Sequence, residues 1–113
     1  MATDPDKRQF LRLTLEIPIS VYWNQGDGST HEELTKTIGV NGGGALISLG
    51  TPVVSGQRLR VANMKTQKEI KCTVADVRSS ARERGRCEVG IAFDEPERRF
   101  WGVYFPSEVM IPS

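Results

Sequence analysis

The sequence has only two cysteines and a single histidine, and that scarcity removes several kinds of protein at once. A small secreted domain stapled by disulfides needs more than Cys72 and Cys87, and a tetrahedral zinc site needs ligands that the lone His31 cannot assemble. The expectation is two reduced thiols, no metal and no cofactor. Charge of one sign is lacking too: 15 Lys and Arg stand against 14 Asp and Glu, a net charge of +1. That is short of the basic excess with which a protein holds DNA or RNA in bulk, so any anion site must be local. No apolar run approaches the length that crosses a bilayer. Met1 to Phe10 are polar and charged, without the apolar stretch of a secretory signal. The expected setting is the cytoplasm, with neither membrane insertion nor nucleic acid as a partner. Repeats and low-complexity tracts are missing.

Catalytic constellations are missing as well. The serines have no plausible His/Asp pair, and most acids sit beside basic residues on faces that read as exposed. No enzyme activity is expected. A chain of 113 residues is long enough for one modest core. Residues 1–7, with Asp4-Pro5-Asp6 and no apolar periodicity, read as a mobile N-terminal arm, and residues 8–113 as one domain.

What is present is strand pattern. From Leu11 to Trp23 the odd positions are apolar (Leu11, Leu13, Leu15, Ile17, Ile19, Val21, Trp23) and the even ones mostly polar, a period of two that predicts one long half-buried strand. Pro18 cannot donate to a ladder and marks a bend, bulge or edge. After a turn at Asn24–Ser29, His31 to Ile38 is a polar strand candidate. Ala45 to Leu49 and Leu59 to Val61 are short apolar strands. Glu69 to Val77 and Cys87 to Phe93 alternate again around a charged tip, Ser79 to Gly85, which predicts a hairpin with Cys87 near Val77. Arg78, Arg82, Arg84 and Arg86 near that tip read as solvated. Asp94-Glu95-Pro96-Glu97 has the look of a helix start with Asp94 as N-cap, and Gly102 and Pro106 limit it to about two turns. Phe100, Trp101, Tyr104 and Phe105 either close one end of the core or form a base-stacking platform. Short strands, glycine turns and one terminal helical turn predict a small antiparallel barrel.

Two features bear on function. The stretch from Ile38 to Leu49 runs through Asn41-Gly42-Gly43-Gly44 straight into a strand. Glycines in series tolerate positive φ and close approach, so this bend either serves the geometry of a hairpin or bulge, or offers N–H groups to an anion. It is not a P-loop, because no Lys-Ser/Thr follows and a strand, not a helix, comes next. Arg8 and Arg12 stand at the junction of the arm and the first strand. They are either a solvated cluster or a pair of guanidiniums able to grip phosphate or the O6/N7 edge of guanine.

Arg8-Gln9-Phe10-Leu11-Arg12, the strand Leu15 to Val21, the glycine motif Gly39 to Gly44, Gly56-Gln57, the strand Lys71 to Val77 and Val89-Gly90-Ile91-Ala92-Phe93 follow one another in an order that resembles the PilZ domain family, from about Lys7 to Phe105. The resemblance implies a six-stranded antiparallel β-barrel and, for many members, binding of the bacterial second messenger cyclic di-GMP. Carried over by motif, Arg8 and Arg12 match the arginines that grip guanine and phosphate, and Gly44 matches the closing glycine. The middle motif departs from the (Asp/Asn)-x-Ser-x-x-Gly pattern: Gly39 stands at the Asp/Asn position and Asn41 at the Ser position. The site expected from the resemblance is Arg8, Arg12, Asn41, Gly42, Gly43 and Gly44. It belongs to a receptor or adaptor that closes its arm over cyclic di-GMP and signals through an unidentified effector protein. The alternative is a degenerate barrel that binds no nucleotide and acts through protein contacts.

Overall fold

The computed structural model describes residues 13–97 and 99–102; the N-terminal arm, Arg8 and Arg12 lie outside them. Six strands follow in order: β1 Pro18–Asn24, β2 Thr30–Asn41, β3 Gly44–Leu49, β4 Arg58–Asn63, β5 Glu69–Ser79 and β6 Cys87–Phe93. They close into a barrel in the order β1-β2-β3-β6-β5-β4, every neighbouring pair antiparallel. A closed sheet leaves no long open edge, and every strand has one face to bury.

The odd residues of the first segment point inward as their period requires: Ile17, Ile19 and Val21 are buried, with Leu13, Leu15 and Trp23 packed against the same core. Val40, Ile47, Leu49, Val61, Val74 and Val89 complete the interior. Each such side chain contributes roughly 1.5–3 kcal/mol of transfer free energy on burial. The long strand expected from Leu11 to Trp23 is divided at Pro18, where β1 begins. Upstream, the Thr37 side chain takes over from the ladder: its Oγ1 donates to the Leu15 carbonyl at 2.6 Å and accepts from the Ile17 N–H at 2.9 Å. Among the described residues upstream of β1, only Leu13 regains a bridge, to Val40.

The β5–β6 hairpin carries an irregularity that the alternation does not announce. Val74 pairs with Ile91 but Asp76 with Gly90, so Ala75 is an extra residue. Cys87 pairs with Ser79, two residues beyond Val77; the bulge accounts for one of the two, since the Val74–Ile91 register carried on unbroken would set Cys87 opposite Arg78. The bulge also exposes Ala75 and Asp76 in succession while Val74 stays buried, and such re-aiming is what a bulge does.

The helix expected after Asp94 is replaced by two successive turns, in which the N–H groups of Phe100 and Gly102 donate to the carbonyls of Glu97 and Arg99. The Asp94 carboxylate does not cap it; it is paired with Arg58. Phe100 and Trp101 are buried and pack edge-to-face with centroids 4.8 Å apart. Of the two readings of these aromatics, closure of the core is the one realised for this pair. Buried Asn63 fastens the segment, its Nδ2 donating to the Phe100 carbonyl at 2.8 Å.

Candidate functional site

Asn41, Gly42, Gly43 and Gly44 form the turn between β2 and β3, and hydrogen bonds hold it on several sides. Asn41 Oδ1 accepts the Gly43 N–H at 2.8 Å, closing an Asx turn. The carbonyls of Gly43 and Gly42 accept from the N–H groups of Phe93 at 2.9 Å and Glu97 at 3.2 Å. From inside, the Trp101 indole N–H is shared between the carbonyls of Asn41 and Gly44 at 3.1 and 3.2 Å. This turn is built to be rigid. The Gly43 N–H and the Asn41 side-chain oxygen are committed to each other, so neither stands open as the bare glycine run implied.

Gly44 is glycine for steric reasons. It pairs with Ala92 on β6, and a Cβ built there would collide with the Ile91 carbonyl. The positive-φ glycines among the described residues are Gly28, Gly56, Gly85 and Gly102, all outside the triplet. Close approach of two backbones, rather than left-handed geometry, explains the closing glycine.

Beside this turn a groove of about 390 Å³ crosses β3, β6 and β5. Its lining includes Asn41, Gly43, Gly44, Ala75, Gly90 and Ala92, small residues that leave a shallow floor, with Pro96 at one side. Among the described residues Asp76 is the one ionisable group in the lining. Among the described residues the groove walls hold no cation, and those residues leave the positive charge for an anionic ligand to another segment.

Such a segment is tied close by. Leu13, which follows Arg12 in sequence, exchanges two hydrogen bonds of 2.8 Å with Val40, the neighbour of Asn41. Of the six expected site residues, the structure therefore groups Asn41, Gly42, Gly43 and Gly44 in one turn, with Asn41, Gly43 and Gly44 on the groove wall. The chain leading to Arg8 and Arg12 begins next to them.

Pattern reading missed several contributors: Asp76 and Gly90 at the bulge, and Trp101 under the turn. It also misplaced Arg86, which is not a solvated residue of the tip. Its side chain donates to Ser48 Oγ at 2.8 Å, to Thr35 Oγ1 at 3.2 Å and to Glu33 Oε2 at 3.3 Å. Glu33 in turn accepts the Gly50 N–H at 2.7 Å and the Thr51 hydroxyl at 2.9 Å. His31 belongs to the same side, stacked on Trp23 with centroids 4.6 Å apart and with Nε2 3.2 Å from Thr51 Oγ1. Among the described residues no cluster of three or more His, Cys, Asp or Glu is placed to hold a metal. Burial pushes the Cys72 thiol up to about 12, which removes it as a nucleophile. A second concavity, of about 530 Å³, lies at the β1–β4 side of the ring, lined by Tyr22, Trp23, Arg58, Arg60 and Lys71 among others; of the described site residues, Asn41 to Gly44, none lines it.

The PilZ domain family model matches residues 6–100. The fold is similar to that of Bacillus subtilis inhibitor of motility (MotI/DgrA), with a TM-score of 0.62 and 15% identity over 85% of this chain and 44% of that one. It is also similar to K. pneumonia MrkH in its apo state, with a TM-score of 0.55 and 13% identity over 96% of this chain and 48% of that one. At these identities the likeness is one of fold, and this chain spans less than half the length of either protein. Among curated proteins, none matches the sequence significantly.

Proposed function

The chain belongs to the PilZ domain family, and from that premise we propose that it is a cyclic di-GMP receptor of the cytoplasm, in which Arg8 and Arg12 close over a nucleotide seated in the groove beside Asn41–Gly44. The observation that carries this is the Leu13–Val40 bridge. It anchors the root of the arginine motif one residue from the glycine turn, and the tether from Leu13 back to Arg8 allows at most about 17 Å of reach. The division of labour follows from charge. A groove whose described residues include no cation suits the flat base, whereas the two guanidiniums supply the bidentate, charge-assisted bonds that a phosphodiester needs. No step of catalysis is required. Ordering the arm on the ligand changes the surface offered to an effector protein, which carries the signal onward.

Calorimetric titration with cyclic di-GMP, with GTP and cyclic di-AMP as controls, tests this. Saturable binding at micromolar or lower concentration, selective for cyclic di-GMP, is expected.

A second reading has its own observation. Gly39 provides no side chain, and the Asn41 oxygen is already engaged by Gly43, so the two side-chain contacts of the middle motif are not offered in the family's way. A barrel retained for protein contacts alone would give no heat with the dinucleotide at a hundred micromolar concentration, about −5.5 kcal/mol of binding free energy or weaker.

A further inference from the structure

Asp76 differs from most acids of this barrel. Asp94 pairs with Arg58, Glu33 with Arg86, Glu69 with Arg60 and Glu88 with Arg78, and Asp27 accepts from Ser29. Asp76 has no hydrogen bond or ion pair among the described residues, although it lines the groove. Its position is set by two local features. The extra residue Ala75 turns it outward over Gly90, and Gly90 has no side chain to displace it: a Cβ there would run into the Asp76 carboxylate. Toward the glycine turn the floor continues over Gly90 and Ala92 to Gly44, two strand spacings or about 10 Å across. That is room for one purine ring lying flat with an edge toward the acid.

We infer that Asp76 is the base-reading residue of this groove, its carboxylate accepting the ring N1–H and the exocyclic N2–H of a guanine lying on the Gly44–Gly90–Ala92 floor; this rests on the receptor reading above. A carboxylate only accepts. The Watson–Crick edge of guanine presents two adjacent donors and fits it, whereas that of adenine presents a ring acceptor beside its amino donor and sets a lone pair against the acid. Selectivity therefore comes from a match and a repulsion together. The acceptor that Gly39 and Asn41 no longer offer from β2 is supplied from β5, across the groove.

The test measures affinities of the unmodified chain and of Asp76→Asn for cyclic di-GMP and for cyclic di-IMP, whose hypoxanthine lacks the N2 amine. Asp76 is exposed and has no partner among the described residues, so the variant is expected to melt with the parent. The parent should prefer cyclic di-GMP over cyclic di-IMP by at least tenfold, in line with the discrimination of roughly ten- to a hundredfold typical of one bidentate base contact. In Asp76→Asn cyclic di-GMP binding should weaken by that factor and the preference should collapse. If the parent binds cyclic di-GMP and Asp76→Asn binds it equally well with the preference intact, the assignment of Asp76 is wrong and the receptor reading survives. A parent that binds neither nucleotide overturns the receptor reading, and the assignment with it.

Discussion

Around Arg86, the side chains of Glu33, Thr35, Ser48 and Thr51 satisfy one another across β2, β3 and the segments that follow β3 and precede β6, whereas the groove across β3, β6 and β5 presents an acid with no partner among the described residues over a floor of glycine and alanine. Both regions are polar and partly open, and both draw on β3. They differ in what is left undone. A half-buried network whose members answer one another gains its free energy on folding and has little left to offer a ligand. A rigid, flat groove with a carboxylate unanswered among the described residues gains nothing from that acid until something binds.

The sharpest way to break the contrast is at Gly44. In Gly44→Val the side chain meets the Ile91 backbone, which cannot retreat without opening the β3–β6 ladder, and a loss of stability of about 3 kcal/mol or more is expected in urea denaturation. Next come Arg8→Ala and Arg12→Ala. Each should weaken cyclic di-GMP binding by about a hundredfold, near 2.7 kcal/mol, with a melting temperature close to the parent's, since stability and binding are carried by different regions. Glu33→Ala should do the reverse. It strands the Arg86 guanidinium and the Gly50 N–H, so a stability loss of about 1–2 kcal/mol is expected with nucleotide affinity unchanged by calorimetry. Asp76→Ala is expected to leave stability within about 0.5 kcal/mol of the parent. At the bottom of the scale stands Cys72. With its thiol pushed up to about 12 from 9.0, chiefly by burial, it should resist alkylation at pH 8 until the barrel unfolds. The sign of its pH effect is fixed by the same shift: between pH 9 and 12 the unfolded chain releases a proton that the folded chain keeps, so stability falls as pH rises through that window. Cys72→Ala should flatten that decline.

Much of the barrel is legible in the sequence because strands bury alternate residues. The run from Leu11 to Trp23 and the pair Ile70–Val74 and Val89–Phe93 announce their inward faces, and Gly85 marks the β5–β6 tip. The glycine turn is legible too, although the reason for Gly44 is not, since a collision with Ile91 depends on which strand comes to lie beside it. Ala75 is a bulge residue only because β6 supplies one partner fewer; nothing in Val74-Ala75-Asp76 by itself says so. Arg86 reads as solvated because its partners Glu33 and Ser48 lie 53 and 38 residues away. Local composition sees the acids interleaved at the tip but not those that arrive from β2. The helix suggested by Asp94 fails for a similar reason, since Arg58 on β4 claims the carboxylate that would have capped it. The placement of Arg8 and Arg12 falls outside the described residues, and the Leu13–Val40 bridge is the nearest structural statement about it.

The most direct measurement is amide chemical-shift mapping of the isotope-labelled chain titrated with cyclic di-GMP. Shifts concentrated at Gly44, Asp76, Gly90 and Ala92, with the amides of Glu33, Thr51 and Arg86 unmoved, are the expected result. Saturable shifts centred on the Arg86 network, or no shifts at all at millimolar ligand, would contradict the assignment of the groove as the nucleotide site.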